Sequence, residues 1–80
     1  MNEQKTLTVL LVKILTGENL IDEAIHECEQ VRKIYNIPKR LMSSNNNINF
    51  DIQTAIVNFV ENKNGMIDVL PELYNALKKM

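Results

Sequence analysis

The spacing of apolar residues between positions 20 and 35 constrains this chain more than any other feature. Leu20, Ile21, Ala24, Ile25, Cys28, Val31, Ile34 and Tyr35 recur at steps of three and four, the period at which side chains return to one side of an α-helix. The flanking residues agree with a helix. Asn19 suits the N-cap, Asp22 and Glu23 stand in the first turn, and Arg32 and Lys33 stand in the last. Each complements the helix dipole or its unpaired amides. Glu29 precedes Lys33 by four residues, an orientation that contributes about 0.2–0.5 kcal/mol. A helix with one apolar stripe needs a surface to bury it against, so the rest of the chain must supply partners.

The remaining segments read as further helices. From about Asn2 to Thr16 the chain carries Leu7, Val9, Leu10, Leu11, Val12, Ile14 and Leu15. That is apolar nearly all round, as in a helix buried on several sides. A buried strand competes, since Thr and Val favour strands, but the length of the run and its helical neighbours favour a helix, with Gly17 as its stop. Asn36 and Pro38 end the second helix, and Pro38 opens a short third one through Leu41 or Met42. Ser43 to Asn47 reads as a polar loop. A fourth helix is expected from about Phe50 to Glu61, capped by Asn49 or Asp51, with Ile52, Ala55, Ile56, Phe59 and Val60 as its buried stripe. Asn64-Gly65 is its stop. A last helix is expected to begin near Asp68 as N-cap, to tolerate Pro71 in its first turn, and to bury Leu70, Leu73, Tyr74 and Leu77. Lys78 and Lys79 suit its C-terminus.

Eighty residues make a single domain, here 1–80, and an apolar share of 45% is enough for a core despite four aromatic residues and no Trp. The expected fold is an all-α, compact antiparallel bundle of five or six helices. Nine Lys plus Arg balance ten Asp plus Glu, which argues against a dedicated nucleic-acid binder. The lone Cys28 makes no internal disulfide and fits a reducing compartment. No apolar run approaches the ~20 residues that span a bilayer, so a cytoplasmic protein without a membrane partner is expected.

Catalytic constellations are missing from the sequence. His26 is the sole histidine, and Cys28 lies about 200° away round the helix, so a solvent-facing His26 and a core Cys28 are expected rather than metal ligands. There is no Cys-x-x-Cys, no Gly-rich phosphate loop and no Gly-x-Ser-x-Gly. No enzyme activity, cofactor, metal or small-molecule substrate is therefore expected. What remains is surface charge. Asp22, Glu23 and Glu27 form an acidic patch on the outer face of the second helix. Lys39 and Arg40 form a basic one beside the central loop, with Lys63 distant in sequence. These six are the candidate interface residues. Opposite patches on one small domain permit head-to-tail self-association, which builds chains or rings; ordinary solvated faces are the alternative.

The stretch from Ala55 to Leu70, AIVNFVENKNGMIDVL, resembles the bacterial effector-associated domains of the death-like superfamily. There, a helix ending in aromatic or aliphatic and charged residues meets a Gly, and a short Leu-rich final helix follows. Ile56, Val57, Phe59, Val60, Glu61, Gly65, Ile67, Leu70, Leu73 and Leu77 occupy that pattern. Upstream, Cys28 to Ile37 looks like the ending of the family's second helix, with Asn36 where Gly is common. The resemblance covers Leu20 to Leu77 and consists mainly of aliphatic spacing. It implies a death-fold-like adaptor in which like domains pair, coupling a sensor or scaffold to an effector in bacterial defence or signalling.

Two other classes are open. A small helical DNA-binding regulator would read Pro38 to Val60 as helix, turn, helix, but Phe50 to Glu61 contains no Arg or Lys for phosphates or base edges. An obligate homodimer, such as an antitoxin or regulatory subunit, would bury the apolar first helix between protomers.

Overall fold

The computed structural model describes residues 3–42, 51–61 and 65–79, with residues 3 and 4 described in backbone alone. Among the described residues five helices follow one another: α1 (Glu3–Leu15), α2 (Ile21–Ile34), α3 (Lys39–Met42), α4 (Ile52–Glu61) and α5 (Met66–Lys78). No strand occurs among the described residues, and the fold is an all-α bundle. The Ser43–Asn47 loop, the Asn49 cap, the Phe50 start and Asn64 lie outside the described residues.

Helix α5 is the hub. It packs most extensively on α4 and also touches α2 and α3, while α1 lies on α2 and reaches α4. Met66, Val69, Leu70, Pro71, Leu73, Ala76 and Leu77 of α5 are all buried, so its apolar surface is wide enough to meet three neighbours. They join Leu7, Leu11 and Ile14 of α1, Ala24, Cys28 and Val31 of α2, and Ala55, Ile56 and Phe59 of α4 in one cluster.

The turns follow local chemistry. Asn36 ends α2 with φ 57°. Its amide donates to the Lys33 carbonyl at 3.2 Å and that of Ile37 to the Arg32 carbonyl at 3.0 Å, the paired bonds of a Schellman motif. Asn tolerates this left-handed conformation, and buried Ile37 anchors the chain beyond it. The Arg32 guanidinium donates to the Ile37 carbonyl at 3.1 Å, closing the turn from the side. At α4, Asp51 is the cap, its carboxylate accepting from the Thr54 amide at 2.8 Å.

Several expectations are corrected. Helix α1 is not buried on several sides: Leu7, Leu11 and Ile14 are buried, whereas Val9, Val12 and Leu15 are exposed. One helix layer covers one side of α1, and nothing in the described fold covers the other. Asn19 does not cap α2. Leu20 holds that position without a side-chain bond, because Leu20 packs against the core and that anchoring sets where the helix begins. Ile34, Tyr35 and Val60, placed on buried stripes by their spacing, are exposed. Ile34 is the last residue of α2 and Tyr35 its C-cap, and Val60 falls outside the buried set Ala55, Ile56 and Phe59 of α4.

Helix α5 starts at Met66 rather than near Asp68, with Gly65 as its N-cap at φ 90° and ψ 157°. Gly65 therefore shapes a start where the sequence suggested a stop. Pro71 then falls beyond the first turn, inside the helix, and removes the amide that would bond the Ile67 carbonyl. Its ring is buried in the core, and packing offsets the missing bond.

Candidate interaction surface

Five of the six candidate charges lie on α2 and α3. Asp22 and Glu23 are exposed in its first turn, with Glu27 half-buried one turn on. Lys39 and Arg40 are exposed on α3, beyond the far end of α2. The charge of Lys39 acts on Glu29, two residues past Glu27. Lys63 lies outside the described residues. His26 is exposed among the acids, and no group of three or more His, Cys, Asp or Glu able to hold a metal occurs among the described residues.

A polar seam joins α2 to α5. The Arg32 Nε donates to the Glu29 carboxylate at 3.2 Å. Partial burial raises the Glu29 pKa, but hydrogen bonds from Tyr74 and Arg32, with the charges of Arg32 and Lys39, outweigh it and hold Glu29 below the usual carboxylate range. Lys39 is thereby tied electrostatically to its own molecule. The Lys78 ammonium sits 5.2 Å from the centre of the Tyr74 ring, a cation–π distance. On the next turns of α5, desolvation and then the charge of Asp68 raise Glu72. Cys28 is fully buried, and desolvation, with the charges of Glu29 and Glu27 behind it, pushes its thiol far above the ordinary range. A thiol so placed is a core side chain and a poor nucleophile.

The more informative surface is apolar, and the charge-based reading passed over it. Val9, Val12 and Leu15 on α1, Val57 and Val60 on α4, and Ile67 on α5 are large side chains that the fold leaves about half exposed, from 45% at Val57 to 54% at Ile67. Val9 lies about 200° round the helix from Leu11, directly away from the core. An open depression of about 430 Å³ sits on this side of α1, lined among the described residues by Lys5, Thr6, Val9 and Leu10. The sequence does carry a signal for this surface. Both α1 and α4 contain more aliphatic residues than one buried stripe can use.

No protein-family model, curated protein or solved structure matches the chain. No described helix is long and apolar enough to cross a membrane.

Proposed function

We propose that this chain is a non-catalytic helical adaptor that works by homotypic pairing, coupling a sensor or scaffold to an effector in a bacterial defence or signalling system. The observation that carries the reading is the second apolar face of α1. Leu7, Leu11 and Ile14 dock α1 onto the bundle, while Val9 and Val12 face the opposite way and are about half exposed, at 47% and 51%. Apolar side chains grouped on one exposed face mark a protein–protein contact when they form a contiguous patch. The acids on α2 and the exposed Lys39 and Arg40 on α3 support contact between copies, and the aliphatic likeness to the effector-associated domains supplies the cellular setting.

The same face of α1 favours a second reading, an obligate homodimer serving as a regulatory subunit. The two differ in whether a folded monomer exists. Light scattering coupled to size-exclusion chromatography, across concentration and at low and high salt, tests both. An adaptor gives a folded monomer at low concentration that associates reversibly and less well in high salt, and charge reversal at Glu27 or Arg40 weakens that association. A folded, salt-insensitive monomer at every concentration refutes homotypic pairing. Dissociation that coincides with loss of helicity selects the obligate dimer.

A further inference from the structure

We draw no further inference here: the strongest candidate, the surface patch of half-exposed valines made by Val9 and Val12 on α1 and Val57 and Val60 on α4, is an unpartnered apolar face, and nothing in the structure shows what covers it.

Discussion

Asn75 ties the short helix α3 to the hub of the fold, and replacing it gives a sharp test of how that tie works. Its side-chain amide donates to the Met42 carbonyl at 2.9 Å and to the Pro71 carbonyl at 2.8 Å. Met42 ends α3, so its carbonyl has no intrahelical donor, and the loss in Asn75→Ala falls mainly there. Leaving such a carbonyl unpaired costs about 1–3 kcal/mol. Alanine's better helix propensity returns about 0.5 kcal/mol. The net destabilisation is about 1–2 kcal/mol, which for a domain this size lowers the thermal midpoint by roughly 5–15 °C.

Asn75→Asp discriminates further, because it keeps the shape but replaces a donor with a carboxylate facing two carbonyl oxygens. It also sets a negative charge near the C-terminus of α5, against the helix dipole. At neutral pH Asn75→Asp is therefore less stable than Asn75→Ala. The protonated acid regains a donor, so its folded-state pKa is raised above the unfolded value of about 3.9. A raised pKa means that the stabilisation is fully present below the unfolded pKa and is lost as pH rises through the folded one. Urea unfolding of wild type and both variants between pH 3 and pH 7, followed by helical circular dichroism, measures all of this. The reasoning fails if Asn75→Ala lies within about 0.5 kcal/mol of wild type, or if Asn75→Asp gains on wild type as pH rises.

Two further predictions concern other parts of the bundle. Gly65, at φ 90° and ψ 157°, occupies backbone space that side chains resist, and a Cβ there would meet nothing within 4 Å; Gly65→Ala and Gly65→Ser should each cost about 1–3 kcal/mol of backbone strain alone, so widely unequal losses in thermal unfolding would refute that account. Glu29 is held below its usual pKa by Tyr74 and Arg32 in spite of partial burial, so its contribution to stability is present above the unfolded value of about 4.3 and is lost as pH falls through the folded one. The stability gap between wild type and Glu29→Gln should accordingly be widest near neutral pH and shrink in acid, as urea midpoints at several pH values would show.

The sequence by itself determined that the chain is helical, roughly where each helix lies, and most of the core. Apolar residues at steps of three and four report the helix period directly, and that period does not depend on what the helix packs against. Leu7, Leu11, Cys28, Val31, Phe59, Leu70, Leu73 and Leu77 are buried for that reason. Local chemistry was legible too, in the Asp51 cap and in the left-handed Asn36, because both act within a few residues of chain. Only tertiary structure decided which of the surplus aliphatic residues were left outside. Val9 and Leu11 are equally apolar, as are Val60 and Phe59, and nothing in their spacing says which side of a helix meets a neighbour. That depends on how many helices surround it. Tertiary packing also set the helix starts, through partly buried Leu20 and through Gly65, and it matched Asn75 with a carbonyl 33 residues away. The half-exposed valines of α1 and α4 emerge at this level as well, because a surface exists only once the fold has chosen what to cover.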